Sequence, residues 1–289
     1  NFLKGTISVD LRGLKIAVDC AEGASYIAAP SLLSALGADI KLIHNKPDGL
    51  NINVNCGSTH PKEIQKLVVN WGADVGLAFD GDADRVIAVD EKGEIVDGDK
   101  IMMICASALK EKGKLAKNTV VVTVMSNMGL EKALKKKGCQ IVQTKVGDRY
   151  VLEKMREEGY VLGGEQSGHI IFLEHNTTGD GLLTALQLLQ VMQEKKQPLS
   201  KLASAMTTYP QVLMNAKVSN QKKMAYLDDE VIAAEIKKLE EKMAGEGRVL
   251  IRPSGTEPLV RVMLEGKDLE LIQSLAKELT ALIEERLGA

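Results

Sequence analysis

The sequence predicts an α/β fold: two α/β domains with mixed, mostly parallel sheets, followed by a small C-terminal α+β domain. β-rich apolar runs alternate with segments of helical spacing over the first two thirds of the chain. Several of these segments end at a glycine, such as Gly37, Gly72 and Gly138, which is typical of a helix C-terminus. After Pro198 and Pro210 the order of elements changes. We therefore place the domains at residues 1–97, 98–205 and 206–289.

The first domain is predicted from short strands that alternate with helices. In chain order the pattern predicts a strand at 15–19, a helix at 26–36, a strand at 38–43, a helix at 62–71, and strands at 73–79 and 85–89. Strands separated by helices of this length form βαβ units, so most of this sheet should be parallel.

The second domain repeats the same rhythm. Its predicted elements are a helix at 100–109, a strand at 119–124, a helix at 129–137, a strand at 140–144, a helix at 149–158, strands at 160–162 and 170–172, and a helix at 181–194.

The third domain differs. There the pattern predicts a strand at 212–218, a helix at 230–243, strands at 248–252 and 259–264, and a helix at 269–287. Two strands joined by a Pro-Ser-Gly-Thr turn, with a helix on each side, indicate an α+β unit.

The composition excludes several functional classes. The 289 residues include 37 Lys and Arg against 39 Asp and Glu, for a net charge of −2, and only 3% are aromatic. The chain therefore lacks both a basic field and a base-stacking platform, and it has no long apolar run, so we expect no nucleic-acid or membrane partner. Its four cysteines are far apart and form no C-x-x-C motif, which favours free thiols in a cytoplasmic protein.

The clearest chemical motif is the acidic segment 80–85, D-G-D-A-D-R, between two predicted strands. Three carboxylates on alternate residues repel one another unless a cation lies among them, and carboxylate oxygens suit Mg²⁺. A solvated acidic turn is one alternative. An EF-hand calcium loop is another, but Arg85 stands where that loop needs glycine, and the flanking segments read as strands.

Two further segments combine turn residues with ligand-binding groups. Residues 163–169, G-G-E-Q-S-G-H, offer donors and acceptors for a polyhydroxylated or amino-bearing ligand, although a Gly-rich hairpin turn has the same pattern. Residues 252–258, R-P-S-G-T-E-P, followed by Arg261, combine hydroxyls, backbone N–H groups and guanidinium groups suited to an anion. An ordinary Pro/Gly hairpin is the alternative. The loops at 145–149, 55–60 and 175–181 are weaker candidates, since the last two contain helix-capping residues.

These three motifs, in this order and one per predicted domain, resemble the α-D-phosphohexomutase family over essentially the whole chain. The acidic segment resembles that family's metal-binding loop, residues 164–169 its sugar-binding loop, and residues 252–256 its phosphate-binding loop. The resemblance implies that Mg²⁺ is held by Asp80, Asp82 and Asp84. It also implies catalytic roles for Arg85 and His169. The substrate-binding residues would be Glu165, Ser167, Arg252, Ser254, Gly255, Thr256 and Arg261.

The resemblance also implies a reaction. The sugar loop has the aminosugar form, because glucose- and mannose-directed relatives usually carry another residue at Gln166. The expected activity interconverts glucosamine 6-phosphate and glucosamine 1-phosphate through glucosamine 1,6-bisphosphate, which serves as intermediate and activator. The family's phosphoserine motif, like Thr-Ala-Ser-His-Asn-Pro, is absent from these residues, and the chain begins at Asn1. We therefore expect these 289 residues to be the second to fourth domains of a longer enzyme and to be inactive alone. A homodimer is a candidate assembly of the full-length enzyme.

The sequence is also compatible with other functions. A glucose- or mannose-directed mutase of the same family is one. A phosphotransferase that forms an aspartyl phosphate on the acidic segment is another. The last is a non-catalytic module that binds phosphosugar or calcium.

Overall fold

The chain folds into two compact units, residues 1–207 and 208–289. The structure is a computed structural model, and it describes residues 1–243, 245–255 and 257–288. Among them, no helix is both long and apolar enough to cross a membrane.

The first unit contains two sheets. The first sheet has five strands in the order β2-β1-β3-β4-β5, with the first three strands parallel and the last two pairings antiparallel. Its elements are β1 Lys15–Asp19, α1 Ser25–Ala35, β2 Asp39–Ile43, α2 Lys62–Trp71, β3 Val75–Phe79, β4 Val86–Asp90 and β5 Ile95–Val96. Helix α2 ends at Gly72, whose φ of 64° is the left-handed C-terminal conformation that glycine adopts readily.

The second sheet has four strands in the order β7-β6-β8-β9, and only the β8–β9 pair is antiparallel. Its elements are α3 Gly98–Glu111, β6 Thr119–Thr123, α4 Met128–Lys136, β7 Gln140–Thr144, α5 Asp148–Glu158, β8 Leu162–Gly164, β9 Ile170–Phe172, α6 Gly181–Lys195 and the short α7 Leu199–Ala203. Helix α6 is buried on most of its surface because it packs on β4 of the first sheet and on β9 of the second. One hydrophobic core therefore runs through both sheets.

The second unit is an antiparallel sheet in the order β10-β12-β11, with two helices. Its elements are β10 Gln211–Lys217, α8 Glu230–Lys242, β11 Gly247–Pro253, β12 Leu259–Gly266 and α9 Leu269–Leu287. Apolar residues of α8 and α9 pack against β12 and close a separate core. Aspartates cap both helices: Asp229 accepts hydrogen bonds at the start of α8, and Asp268 does so at the start of α9.

The predicted fold class is confirmed. Helix α9 has the predicted bounds, and most other elements differ by one or two residues at their ends, as expected where caps and frayed turns set the limits. The short elements β5 and α7 were not predicted. The division of the first unit at residues 97 and 98 stays a prediction, since its two sheets share one core.

All four cysteines are free thiols, the state that the sequence favours, and all four are buried. Burial raises the pKa of Cys20 and Cys56 to about 11 and that of Cys105 to about 12. In the folded chain these side chains are therefore neutral thiols at physiological pH.

Candidate functional site

The acidic segment forms the turn between the antiparallel strands β3 and β4. Asp80 directly follows β3, which is parallel to β1. The chain crosses from β2 on one side of β1 to β3 on the other, so the strand order reverses at this point of the sheet. Ligands of open α/β sheets bind at the carboxyl edge beside such a reversal. The turn is therefore placed where a ligand site is expected.

The three aspartates converge. One carboxylate oxygen from each of Asp80, Asp82 and Asp84 lies within 4.8 Å of the others. Asp80 is buried, Asp84 is half-buried and Asp82 is exposed. The turn is closed by the Ala83 N–H, which donates to the Asp80 carbonyl at 3.1 Å, and by the Arg85 N–H, which donates to Asp80 Oδ1 at 3.0 Å. Ala83 has a φ of 61°, the left-handed conformation that this tight turn requires.

The electrostatics of the cluster suit a divalent cation. Burial, followed by the neighbouring carboxylates of Asp84 and Asp82, raises the pKa of Asp80 to about 6. Asp84 Oδ1 is buried and has no hydrogen-bond partner among the described residues. A buried carboxylate oxygen without a donor is costly unless a cation compensates it. Three converging carboxylates, one with a buried oxygen that accepts no hydrogen bond among the described residues, fit Mg²⁺, which prefers oxygen ligands.

Arg85 lies beside this cluster without neutralising it. Its Nε is 3.8 Å from Asp84 Oδ1, which is too long for a hydrogen bond. The same nitrogen is buried and has no hydrogen-bond partner among the residues that the structure describes. The side chain as a whole is 44% exposed, so the guanidinium group is accessible to an anion next to the carboxylates.

The predicted sugar loop is a tight turn between β8 and β9. The Glu165 N–H donates to the His169 carbonyl at 2.9 Å, and the Gly168 N–H donates to the Glu165 carbonyl at 3.0 Å. Ser167 is exposed at the tip, and Glu165 is half-buried. Glu165 Oε1 accepts a hydrogen bond from the Gly147 N–H at 3.2 Å, directly before α5. One oxygen of Glu165 is therefore fixed by a helix N-terminus, where a carboxylate is favoured.

The sugar loop is bound to the acidic segment. The Val86 N–H, at the start of β4, donates to the Gly168 carbonyl at 3.2 Å. His169 Nδ1 lies 3.2 Å from Asp84 Oδ2, and the imidazole ring is 4% exposed. The Gly179 N–H donates to His169 Nε2 at 3.1 Å. Two motifs that are about eighty residues apart in the chain therefore form one continuous site.

The sugar loop also rests on the start of α3. The Gly98 N–H donates to the Gln166 carbonyl at 3.0 Å, and Gln166 Nε2 donates to Asp97 Oδ2 at 3.3 Å. Asp97 caps α3 by accepting from the Lys100 N–H, and burial raises the pKa of its carboxyl group. The side chain of Gln166 is thus held against the protein by a capping carboxylate.

The predicted phosphate loop lies in the second unit, in the hairpin between β11 and β12. Arg252 and Arg261 face each other across the two strands, and burial, together with the positive charge of Arg261, lowers the pKa of Arg252. Arg261 Nη2 lies 3.6 Å from Glu257 Oε2. Ser254 is buried, and its Oγ accepts from the Glu257 N–H at 3.2 Å. Two guanidinium groups against one carboxylate leave a net positive charge suited to an anion.

Of the other predicted phosphate-loop residues, Gly255 leaves open space around its Cα, so a ligand can approach the backbone there. Thr256 lies outside the described residues.

Sequence reasoning missed two residues of the site, Asp97 and Gly98, and placed Gly179 and Gly181 only in a weak candidate loop. The Gly181 N–H donates to the Ala83 carbonyl at 2.9 Å, which connects the start of α6 to the acidic turn. Gly179 packs against the ring of His169. The loop at 175–181 contains the only signal of this role, because it is rich in glycine directly before a helix. The weak candidates 145–149 and 175–181 both reach the site, through Gly147 and Gly179.

The fold and the first-unit site define a class: an α/β protein with a carboxylate cluster at the carboxyl edge of one sheet and a glycine-rich turn of the next sheet packed against it. Three family models match this chain. They describe phosphoglucomutase/phosphomannomutase α/β/α domain II at residues 3–93, α/β/α domain III at 97–209 and the C-terminal domain at 213–282. The chain belongs to the phosphoglucomutase/phosphomannomutase family, the α-D-phosphohexomutases, and the resemblance read from the three motifs is confirmed.

Curated relatives are similar along the full chain. Phosphoglucosamine mutase of Acetivibrio thermocellus is 64% identical over 288 residues, which are 100% of this chain and 64% of that protein. The enzyme of the same name from Alkaliphilus metalliredigens is 62% identical over the same length, again 64% of the protein. This chain thus spans slightly less than two thirds of the length of these relatives.

Solved structures share the fold at low sequence identity. N-acetylphosphoglucosamine mutase of Aspergillus fumigatus, in complex with GlcNAc-6P and magnesium, has a TM-score of 0.80 and 22% identity, covering 98% of this chain and 68% of that one. A phosphoglucomutase/phosphomannomutase family protein from Burkholderia thailandensis has a TM-score of 0.76 and 23% identity, covering 98% and 63%. A variant of the Aspergillus enzyme in complex with glucose 1,6-bisphosphate has a TM-score of 0.77 and 21% identity, covering 100% and 64%.

Proposed function

We propose that this chain provides domains II to IV of an enzyme that interconverts glucosamine 6-phosphate and glucosamine 1-phosphate. The main support for the proposal is the contact between His169 and Asp84, which joins the sugar loop to the acidic turn. It brings candidate ligands for a metal ion and for a sugar to one edge of the protein. The full-length similarity to proteins named phosphoglucosamine mutase supports the aminosugar as substrate.

The proposed roles follow from the contacts. Asp80, Asp82 and Asp84 hold Mg²⁺, which neutralises negative charge at the phosphoryl group when it is bound. Arg85, half-buried beside Asp84, binds the same group through its guanidinium group. Glu165 accepts hydrogen bonds from sugar hydroxyls, and Ser167 donates hydrogen bonds to them. The non-reacting phosphate is bound by Arg252, Ser254, Gly255, Thr256 and Arg261.

The reaction transfers phosphoryl groups between oxygens. A phosphoserine, as the family resemblance implies, donates its phosphoryl group to the free hydroxyl of the substrate and becomes a serine hydroxyl. The product is glucosamine 1,6-bisphosphate. After it reorients, the serine oxygen accepts the other phosphoryl group, which leaves the isomeric monophosphate. The site must therefore accept two sugar orientations, and this favours several modest hydrogen bonds over a single rigid clamp.

The metal assignment is tested by Asp82→Asn in the full-length enzyme. Asp82 is the most exposed of the three carboxylates, so its replacement removes one ligand with little effect on folding. We expect Mg²⁺-dependent mutase activity to fall by a factor of about 100 or more, since an electrostatic contribution of this kind is typically about 3 kcal/mol. Asp39→Asn, an exposed aspartate at the start of β2, is the matched control. Equal activity in the two variants would reject the assignment.

The phosphoserine mechanism is tested with the 289-residue chain alone. The chain should bind Mg²⁺ and glucosamine 6-phosphate without converting it, whereas the full-length enzyme should turn it over. Multiple turnovers by the isolated chain would contradict the mechanism. A phosphoryl group trapped on Asp80 would instead support the aspartyl-phosphate alternative.

Substrate preference is the second test. Gln166 of the sugar loop, whose side chain donates to Asp97, is the residue at which the family resemblance favours an aminosugar. We expect the full-length enzyme to prefer glucosamine phosphate over glucose and mannose phosphates in kcat/KM. Equal or better turnover of a glucose or mannose phosphate would instead assign the enzyme to the glucose- or mannose-directed mutases of the family. The four free, buried thiols fit the cytoplasmic location that we propose, and a homodimer stays a prediction.

A further inference from the structure

A second group of side chains with donor atoms suited to a metal ion lies outside the site described above. Asp19 ends β1, His44 directly follows β2, and Cys56 precedes the short 3₁₀ turn Gly57–Thr59. One ligand atom from each of the three side chains lies within 4.8 Å of the others. The cluster therefore unites the carboxyl ends of two neighbouring parallel strands with the loop that follows them.

Asp19 is held rigidly inside the protein. Its side chain is fully buried, Oδ1 accepts the Ala21 N–H at 2.9 Å, and Oδ2 accepts the Gly57 N–H at 2.9 Å. A carboxylate with no solvent exposure needs a positive charge beside it. The Cys56 side chain is also completely buried, next to this carboxylate.

His44 is oriented as histidine ligands of metals commonly are. Its Nε2 lies 3.1 Å from Glu63 Oε2, so an outer carboxylate stands beside one ring nitrogen while the other nitrogen faces inward. That nitrogen, Nδ1, is buried and lies 3.0 Å from Asp19 Oδ2, yet the two atoms are not aligned for a hydrogen bond. The imidazole side chain is 21% exposed, which leaves a route from solvent.

We propose that Asp19, His44 and Cys56 bind a divalent transition-metal ion, with Zn²⁺ as the preferred ion and water as the fourth ligand. A sulfur, an imidazole nitrogen and a carboxylate oxygen form a donor set that suits zinc, in contrast to the all-oxygen cluster of the acidic turn. When the ion binds, the sulfur–metal bond replaces the S–H bond of Cys56, and the proton leaves to solvent.

The ion would stabilise the loop that supports the acidic turn. Residues 44–56 run from the histidine to the cysteine. Within them, Ile52 and Asn53 pack so closely on Gly81 that a Cβ added there would lie 2.6 Å from Asn53 Nδ2. A metal that fastens both ends of this segment to β1 therefore stabilises the surface on which the acidic turn rests, without contributing to the turn's own ligands.

The test uses Co²⁺ and Zn²⁺ with the metal-stripped 289-residue chain carrying Asp82→Asn, which weakens the acidic turn as a competing site. Co²⁺ bound to a thiolate gives a near-ultraviolet charge-transfer band that oxygen ligands do not give. We expect this band at one Co²⁺ per chain, and we expect Zn²⁺ to abolish it. Cys56→Ser should remove the band, whereas Cys20→Ser, which changes an equally buried cysteine next to Asp19, should preserve it.

Two further variants keep the test decisive if Cys56→Ser fails to fold. Glu63→Gln changes an exposed residue and removes only the outer carboxylate, so it should weaken Co²⁺ binding roughly tenfold with no change in the circular dichroism spectrum. His44→Ala should abolish the band. A chain without a thiolate–Co²⁺ band, or with a band that persists in Cys56→Ser, would overturn the proposal and leave an ordinary carboxylate–histidine ion pair.

Discussion

His169 Nδ1 lies 3.2 Å from Asp84 Oδ2, although the two residues are 85 positions apart in the chain. The Gly179 N–H donates to His169 Nε2 at 3.1 Å, so Nε2 is an acceptor and the ring proton is on Nδ1. The histidine therefore donates to Asp84 and fixes the orientation of that carboxylate. This geometry supports a positioning role for His169, and its predicted acid/base role stays a prediction.

Two isosteric substitutions separate these roles. Asn places its amide N–H near the position of Nδ1, whereas Gln reaches only the position of Nε2. We expect His169→Asn to retain near-normal Mg²⁺ dependence. His169→Gln should raise the Mg²⁺ concentration for half-maximal activity roughly tenfold, because Asp84 loses its donor. The measurement is a Mg²⁺ titration of activity in the full-length enzyme, supported by Mn²⁺ binding to the 289-residue chain.

An acid/base role gives a different result. Both variants would then lose kcat to a similar extent, and the Mg²⁺ dependence would be unchanged in both. That outcome would contradict the positioning role.

The sequence predicts local features of the site better than long-range ones. The acidic turn is recognisable because its three carboxylates are close in sequence, and the strands beside it have strong apolar patterns. The contacts of Gly98 with Gln166 and of Gly181 with Ala83 join residues that are distant in sequence. No local pattern encodes such contacts, since a glycine at a helix start serves equally well as a turn residue or as a contact site.

The same difference between local and long-range signals explains which parts of the fold are predictable. Helix α9 has the predicted bounds because its apolar spacing and the capping residue Asp268 are both local. The shared core of the two sheets was not predicted. It depends on α6 being apolar on most of its surface, and hydrophobicity alone does not reveal which surfaces a helix contacts.

Gly98→Ala tests the support of the sugar loop by α3. A Cβ at this position would overlap the Glu165 carbonyl and crowd the Gly168 N–H. Alanine is the better helix former, so without this overlap the substitution would stabilise α3. We expect instead a loss of about 2 kcal/mol in the free energy of unfolding, typical of overpacking, together with a raised KM for the phosphosugar. Urea unfolding and steady-state kinetics measure the two effects.

Gly5→Ala is the control for this substitution, because Gly5 is exposed and a Cβ there would have no neighbour within 4 Å. Similar stabilities of the Gly98→Ala and Gly5→Ala chains would show that the sugar loop does not depend on close packing against α3.

Arg261→Gln tests the anion site in the second unit. Arg261 and Arg252 face each other across β12 and β11, and their mutual repulsion is relieved when an anion binds. We expect inorganic phosphate to bind the chain at least about tenfold more weakly after the substitution, because a hydrogen bond to a charged group contributes roughly 1.5–3 kcal/mol. Isothermal titration measures the affinity. Arg156→Gln, at an exposed position of α5, should bind phosphate as the unchanged chain does.

Asp229 gives the second unit a pH-dependent contribution to stability. Its carboxylate accepts from Arg286 Nε at 2.7 Å and caps α8, and the hydrogen bond from Arg286 is the main reason why its pKa is lowered. Because the folded-state pKa lies below the unfolded-state value, the stabilisation is complete above that ordinary value of about 4. It is lost as the pH falls through the lowered value and the carboxylate becomes protonated.

Asp229→Asn isolates this effect, because asparagine still caps the helix but has no charge for Arg286. At pH 7 we expect faster amide hydrogen exchange in Glu230–Lys242 of the variant than of the unchanged chain. The difference should shrink as the pH falls from about 4 through the lowered pKa of Asp229, because the unchanged chain then also loses this charge. Asp228→Asn, at the exposed neighbouring position, should follow the unchanged chain at every pH. A difference that persists undiminished at pH 3 would show that Asp229 stabilises α8 as a cap and not as a charge.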